Sequence, residues 1–316
     1  MDNLSSQYIK VLDTNELQIN KEQVQKLFFE NKAPKLIIGF ISPHIDFHAI
    51  SEQIKSYFPS STKVVLSTSA GELCTFNLDE KRDSLYHDAS STWNNIVLQG
   101  FSHEVIENIQ VLTIPLFSED IANSSISSAK RIAKIKNEID NQKISFKINH
   151  ENCFALTFVD GLSNSESFFA EAVYDSGKLP CLLIGGSAGG KLDFKDTFIF
   201  NNEKILRHNA VVVLVKLKPT IKYGVFKSQS CEDMKISFLV AQSNVQKRTV
   251  QSVLSTKTNK IVNILDALSQ YFSTSLENLP DILKDYSFAI KLDGEIYIRS
   301  IANVDVKIKK LHFFVM

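Results

Sequence analysis

The run Gly185-Gly186-Ser187-Ala188-Gly189 is the stretch of this chain whose residue types most directly suggest chemistry. It follows an apolar, strand-like segment and satisfies G-x-S-x-G, the pattern in which a serine hydrolase presents its nucleophile at a sharp turn between a strand and a helix. That chemistry also needs a helix directly after the serine, and a histidine and an acid within reach. Residues 191–197 instead predict a turn followed by extended chain. A hydrolase that uses Ser187 is therefore the alternative function, and the primary expectation is that the chain is not an enzyme.

The same stretch comes one residue short of a phosphate-binding loop. Gly185, Gly190 and Lys191 have the spacing of G-x-x-x-x-G-K-[ST], but Leu192 stands where the hydroxyl residue that binds Mg²⁺ would be. The helix whose amino terminus would hold phosphate is not predicted either. Small residues here let the backbone turn sharply or approach a ligand closely, and we favour this interpretation.

Histidines are the second residue type that could do chemistry. Seven are present, and none shows H-E-x-x-H or another paired metal-binding spacing. His44 follows the end of a predicted parallel strand, beside Ser42 and Pro43. Ligand crevices of open α/β sheets lie at such strand ends, so His44 is well placed to contact a ligand.

Composition excludes several classes of protein. The 316 residues, 44% hydrophobic and 22% charged, are typical of a soluble globular chain and long enough for two domains. Thirty-five basic residues balance thirty-five acidic ones, so no net charge attracts nucleic acid or a membrane surface. No apolar run approaches the roughly 20 residues of a membrane helix. The four cysteines contain no C-x-x-C pair, which indicates reduced thiols and a cytoplasmic location: Cys74, Cys153, Cys181 and Cys231.

The elements that would position these residues occur twice. The first copy predicts a strand, a helix with Asp46 as its N-cap, and a second strand that leads into Ser69-Ala70-Gly71. The second copy lies 118 residues further along and leads into Ser187-Ala188-Gly189 without a gap. The predicted elements are residues 35–41, 46–58 and 63–66 in the first copy, and 153–159, 164–174 and 181–184 in the second. After a four-residue gap, the strand at 95–98 matches that at 209–212.

We therefore predict an α/β fold of mixed α+β type. Its N-terminal domain, residues 1–218, contains two pseudo-repeated β-α-β plus hairpin units, at 35–102 and 153–218. A smaller α+β domain, residues 219–316, follows; the sequence ends within a predicted strand, so we expect that domain to be incomplete. Further expected elements are a helix over 120–139, strands over 220–240, a strand running into a helix over 260–272, and a hairpin around Asp293-Gly294.

Five short motifs, in this order, resemble the FIST family of bacterial sensory proteins. They are Ile-Ser-Pro at 41–43, Ser-Thr-Ser-Ala-Gly-Glu-Leu at 67–73, Phe-Val-Asp-Gly-Leu at 158–162, Gly-Gly-Ser-Ala-Gly-Gly at 185–190 and Ile-Tyr-Ile-Arg-Ser-Ile at 296–301. The resemblance spans nearly the whole chain, as N-terminal and C-terminal FIST domains. It implies an intracellular sensor of a small ligand such as an amino acid, which regulates a separate signalling partner. A subset of the family binds haem, senses nitric oxide and controls histidine kinases or cyclic-di-GMP enzymes.

The resemblance and the strand ends together predict one ligand crevice. It would contain the residues at the carboxyl ends of the repeated strands: Ser69, Ala70, Gly71, Asp160, Gly161, Ser187, Ala188 and Gly189. Backbone N–H groups of the glycine turns and the Asp160 carboxylate would hold the two ends of a zwitterion; alternatively, Asp160 only forms the turn. If haem b is the cofactor, His44 and then His208 are the expected iron ligands.

Overall fold

The computed structural model describes residues 7–74, 86–88, 94–119, 126–225, 231–244, 247–255, 259–292 and 295–313. The chain forms two compact units, Met1–Gly224 and Val225–Met316. Helices and strands mix in both units, which confirms the predicted fold class. None of the helices in the described ranges is long and apolar enough to cross a membrane.

The first unit is built from paired strands with few helices. Its strands are β1 Ile9–Thr14, β2 Leu36–Ile41, β3 Lys63–Thr68, β4 Gly71–Leu73, β5 Tyr86–Asp88, β6 Ile96–Phe101, β7 Ile106–Pro115, β8 Cys153–Asp160, β9 Leu182–Ala188, β10 Ile199–Phe200, β11 Ile205–Leu206 and β12 Asn209–Leu217. Its helices are α1 Lys21–Gln25, α2 Phe47–Ser56, α3 Ser128–Asp140 and α4 Glu166–Ser176.

A six-stranded sheet carries the first β-α-β unit. Its strand order is β1-β6-β2-β3-β10-β11, with β2 and β3 parallel and the other neighbours antiparallel. Apolar side chains of α1 and α2, among them Val24, Ile50 and Ile54, pack on one face with Ile37 and Leu66 of the sheet. The predicted strands and crossover helix of this unit are thereby confirmed.

A four-stranded sheet carries the second β-α-β unit, in the order β7-β12-β8-β9. Strands β8 and β9 are parallel, and β12 is antiparallel to both β7 and β8. Helices α3 and α4 cover one face, where Ile135 and Phe169 pack against Val212 and Leu214. The continuous apolar run of β12 is explained by this position, because both faces of the strand are buried.

The two sheets pack face to face and form the central core of the first unit. Leu36, Ile38 and Val65 of the six-stranded sheet meet Val211 and Val213 of β12. The unit is therefore a four-layer structure with helices outside two stacked sheets. At one end of the stack the rings of Phe40 and Phe158 lie 6.2 Å apart, between the sheets.

Within the first compact unit, corresponding strands of the two β-α-β repeats pair in corresponding registers. Ile38 of β2 lies opposite Gln99 of β6, and Leu156 of β8 lies opposite Val213 of β12. The parallel pairs differ by one residue, because Leu36 faces Lys63 whereas Phe154 faces Leu182. The arrangement places the two Ser-Ala-Gly turns at equivalent strand ends.

Local sequence sets the ends of the helices. The Asp46 carboxylate accepts hydrogen bonds from the amides of His48 and Ala49 at 3.1 Å, as predicted for an N-cap. Helix α4 ends at Gly177, whose φ of 61° suits glycine. The helix predicted over 120–139 begins at Ser128 in the structure, because the Ser127 side chain caps its first turn. Residues 120–125 lie outside the described ranges.

The described part of the second unit contains a five-stranded sheet and a separate two-stranded sheet, with short helices packed beside them. Its strands are β13 Leu239–Asn244, β14 Thr249–Ser255, β15 Lys260–Asn263, β16 Phe288–Leu292, β17 Glu295–Arg299, β18 Ile301–Asp305 and β19 Lys310–Phe313. Its helices are α5 Ile264–Phe272 and α6 Leu279–Ile282, followed by a 3₁₀ turn Leu283–Asp285. Leu265, Leu268 and Leu279 pack against Val253 and Leu311 in its core.

Some of the elements predicted from the sequence for this unit are confirmed, and others are wrong. The strand that runs into a helix over 260–272 is confirmed, and β16 pairs with β17 as a hairpin in which Leu292 faces Glu295. The Asp293-Gly294 pair itself lies outside the described residues. The strands predicted over 220–240 are wrong for most of the described part, where only residues from Leu239 onward are extended in a sheet. Apolar residues do alternate there, as at Ile221, Tyr223 and Val225, which is why the pattern predicts strands, but these residues pair with no other strand in the described part of the chain.

Candidate functional site

The two Ser-Ala-Gly turns touch each other at one end of the stacked sheets. The second was predicted to follow a strand that ends at residue 184, but β9 continues through Ser187 and Ala188, so the chain leaves the strand only at Gly189. The amide of Gly189, just after β9, donates a hydrogen bond of 3.0 Å to the carbonyl oxygen of Thr68, the last residue of β3. A Cβ atom on Gly189 would lie 2.3 Å from the amide nitrogen of Ala70. Only glycine therefore permits this contact, which links the ends of two different sheets.

The other turn residues gather at the same edge, and we call the set the sheet-end cluster. It consists of the eight predicted ligand-site residues Ser69, Ala70, Gly71, Asp160, Gly161, Ser187, Ala188 and Gly189. Asp160 pairs with Ala188 across the parallel strands, and a Cβ on Gly161 would lie 2.2 Å from the Ala188 carbonyl oxygen. The Ser69 hydroxyl accepts a hydrogen bond from the Gly71 amide at 3.2 Å, which closes the first turn.

Asp160 is buried, with 2% of its surface exposed, and the protein itself uses its carboxylate. Oδ1 accepts hydrogen bonds from the Leu162 amide, at 3.0 Å, and from the Thr197 hydroxyl. Oδ2 accepts from the amide of His208. Three donors thus hold Asp160 in place, as the turn-forming alternative requires. A direct contact between Asp160 and a ligand stays a prediction.

Ser187 is exposed and lies within β9, an edge strand, together with Ile184, Gly185 and Gly186. Its hydroxyl donates a hydrogen bond of 2.8 Å to Glu166, in the first turn of α4. The nucleophile elbow of a serine hydrolase is absent from the described residues, because 191–197 form no helix and no histidine bonds to Ser187 there.

Glu72 is a buried acid of this edge that the sequence did not single out. Only 3% of its surface is exposed, and its Oε1 accepts the hydroxyl hydrogen bond of Ser69. Its Oε2 is buried without a hydrogen-bond partner of good geometry among the described residues. Burial raises the pKa of Glu72, and the nearby Asp13 carboxylate raises it further, whereas contacts with Ser69 and Asn95 oppose the rise. The carboxyl is thereby biased toward its neutral form.

Neither predicted iron ligand belongs to a metal cluster. The described residues contain no group of three or more histidine, cysteine, aspartate and glutamate side chains that could hold a metal ion. The His208 backbone has a φ of 56°, and its Nδ1 lies 2.9 Å from the Ser118 hydroxyl. His44 is half-buried in the turn after β2, and its amide donates to the Ser42 hydroxyl at 3.4 Å.

A separate cavity of about 500 Å³ opens at the opposite end of the four-stranded sheet. Both polar and apolar atoms line it, from residues Lys147, Ile148, Asn149, His150, Asn152, Pro180 and Lys216. Lys216 is ion-paired with Glu107 at 2.9 Å. None of the predicted site residues lines this cavity.

The chain matches a known protein-family model over more than half of its length. The model of the FIST N domain matches residues 35–253. The chain belongs to the FIST family. FIST domains are sensory domains, so the match supports a role in sensing a signal. A search of curated proteins finds no significant match.

The FIST match includes every residue of the sheet-end cluster, both candidate histidines and Glu72. It begins one residue before β2 and runs past Gly224 into β14 of the second unit. The domain boundary predicted after residue 218 stays a prediction.

Glu72 and Thr197 are two residues of this site that the sequence analysis did not select, and they differ in how far the sequence could have indicated them. Glu72 directly follows the Ser69-Ala70-Gly71 turn and lies in one of the five family motifs, a signal that could have identified it as a candidate. Thr197 reaches Asp160 from 37 residues away along the chain, in a segment without a motif.

Proposed function

We propose that this FIST protein is a sensor that binds a small zwitterionic ligand of the amino-acid class at the sheet-end cluster. The observation that carries the proposal is the contact between Gly189 and Thr68. Because the two turns touch, a ligand seated on one turn acts on the ends of both sheets. A ligand that favours one arrangement of the turns over another can then shift the protein between states.

Charge at the rim of the cluster matches the two ends of a zwitterion. Glu166 is half-buried beside the exposed Ser187 hydroxyl and offers a carboxylate to the ligand's ammonium group. Backbone N–H groups at the glycine turns suit the ligand's carboxylate. In this arrangement Asp160 does not contact the ligand; its carboxylate supports the turn by accepting hydrogen bonds from the Thr197 hydroxyl and the His208 amide.

The output passes to a separate protein, such as a histidine kinase or a cyclic-di-GMP enzyme, in a cytoplasmic compartment. The family's sensory character supports this proposal. None of the four cysteines forms a disulfide, which fits a reducing compartment.

A thermal-shift screen of the full chain against each of the twenty amino acids tests the ligand class. We expect at least one to raise Tm in a concentration-dependent way, as binding to the folded state requires. With Glu166→Gln, the ligand concentration needed for the same rise in Tm should increase at least tenfold. The matched control is Asp196→Asn, which removes an exposed acid paired with Arg207 at 3.1 Å and should leave the shift unchanged. A flat response to all twenty would overturn the proposal.

Haem is the second candidate ligand, and the surroundings of His208 favour it. The Ser118 hydroxyl at 2.9 Å orients the His208 ring through Nδ1, which is how metal-binding histidines are commonly fixed. Apolar Leu192 and Phe194 are exposed on the segment that Arg207 contacts through the Lys195 carbonyl, at 3.1 Å. His208 would hold the iron, and Arg207 would pair with a propionate; bound haem would supply gas binding.

A further inference from the structure

Two cysteines lie side by side at the amino ends of β8 and β9. Phe154 faces Leu182 in this parallel pair; Cys153, the first residue of β8, and Cys181, the residue just before β9, each stand one position earlier. Neighbouring strands lie about 4.8 Å apart, within the Cα separation that a disulfide spans. Both cysteines are free thiols.

The two thiols also share one face of the sheet. Side chains alternate along a strand, so Cys153 lies on the side of Ala155, a member of the helix-covered core. Cys181 packs against that same core. Burial, and to a lesser degree the Cys153 thiol, raises the pKa of Cys181 to about 11, as expected for neighbouring thiols that resist ionising together.

The cavity of about 500 Å³ at this end of the sheet is lined by neighbours of both cysteines, although not by the cysteines themselves. Cys153 is fully buried, and its Sγ lies 3.4 Å from the amide of Asn149 and 3.4 Å from Oδ1 of Asn152, two residues of the cavity lining. Pro180, also in the lining, directly precedes the half-buried Cys181. A small oxidant therefore reaches Cys181 before Cys153.

We propose that Cys153 and Cys181 are a redox modification site, which hydroperoxides oxidise to a reversible disulfide. Cys181 must first lose its proton, and its raised pKa makes this oxidation slow near neutral pH and faster as the pH rises. The thiolate then attacks one peroxide oxygen and breaks the O–O bond, giving a sulfenic acid and releasing water or an alcohol after proton uptake. The Cys153 sulfur then attacks the sulfenic sulfur, forms the S–S bond and releases water. Two thiols lose two electrons and two protons, and the peroxide is reduced.

The position of the pair connects it to the end of the first unit. The Tyr223 hydroxyl donates to the His150 carbonyl oxygen at 2.7 Å and to that of Cys153 at 3.3 Å. Its ring lies 5.5 Å from that of Phe154. Tyr223 is followed by Gly224, where the unit ends. A disulfide at Cys153 therefore changes the strand to which this terminal segment is attached, independently of ligand binding at the opposite sheet end.

Thiol counting on the full chain tests the site. In a Cys74→Ser, Cys231→Ser background only the pair remains, and hydrogen peroxide should remove both thiols; dithiothreitol should restore both. When Cys181→Ala is added to this background, peroxide should cause no dithiothreitol-reversible loss of the Cys153 thiol. Circular dichroism checks that this variant folds. Retention of both thiols, sulfinic acid at Cys181, or a disulfide between two chains would each overturn the proposal.

Phenylarsine oxide gives a second measurement that does not depend on oxidation. Its trivalent arsenic is held by two neighbouring sulfurs, so the paired background should bind one equivalent and the Cys181→Ala variant none. Binding with equal stoichiometry to both would contradict the side-by-side arrangement of the thiols.

Discussion

The amide of Gly189 and the carbonyl oxygen of Thr68, 3.0 Å apart, join the two sheets of the first unit at the ends of their parallel strands. The bond requires the backbones of the two turns to be in contact, since Ala70 occupies the space where a side chain on residue 189 would begin. The glycine of the second turn is thus explained by packing between sheets. The same contact gives a ligand at either turn a route to the other.

Gly189→Ala should destabilise the protein by about 1–3 kcal/mol, because its Cβ collides with backbone that cannot move without parting the turns. Gly186→Ala is the matched control, three residues earlier and within β9. A Cβ there meets no described atom within 4 Å, and the change should stay within about 0.5 kcal/mol. Urea unfolding of both variants measures the difference; equal stabilities would contradict the packing.

Asp160→Asn should cost about 1–3 kcal/mol, because an amide cannot accept all three hydrogen bonds that the carboxylate accepts. The loss should also loosen His208, whose amide binds Oδ2. Asp196→Asn removes a carboxylate that is 54% exposed and should change the unfolding free energy by less than about 0.5 kcal/mol. If the two variants unfold alike in urea, Asp160 does not hold the turn.

Glu72→Gln should change how stability depends on pH. Burial raises the pKa of Glu72 above 4.5, so its neutral form stabilises the folded state fully below that pH. This contribution is lost as the pH rises through the folded-state pKa, whereas glutamine does not titrate. The Tm of the wild type should therefore fall relative to that of the variant between pH 4.5 and pH 8. A Tm difference between wild type and variant that stays constant over this range would show that folding does not raise the pKa of Glu72.

Haem titration distinguishes the two candidate histidines. If haem binds, His208→Ala should abolish the Soret band of the reconstituted protein, because this ring is oriented by Ser118 for coordination. His44→Ala should then leave the band intact. The reverse result would assign the iron to His44, and an unchanged band in both variants would exclude both histidines.

The sequence predicted those elements whose signal is local. The apolar runs of β2, β3, β8 and β9 and the N-cap at Asp46 were visible, because burial and capping act within a few residues. Pairing between distant segments was not. Strand β10, only two residues long, joins the first sheet beside β3, although it follows β9 of the second sheet.

The site was predictable in position but not in detail. Glycine and serine at equivalent strand ends indicated where the turns lie, and they do meet. The burial of Asp160 depends on Thr197 and His208, which reach it from 37 and 48 residues away. No spacing rule shows such partners, because the pairing of β12 with β8 places His208, and Thr197 lies just before β10 of the other sheet. The register of β8 with β9, which places Cys153 beside Cys181, likewise emerges only from pairing.

Hydrogen–deuterium exchange of the full chain, with and without an equimolar mixture of the twenty amino acids, tests the central claim most directly. Binding at the sheet-end cluster predicts slower exchange in both turns at once, over residues 68–72 and 185–190, because Gly189 and Thr68 are in contact. Unchanged exchange in both turns, or protection confined to the cavity residues 147–152, would contradict it.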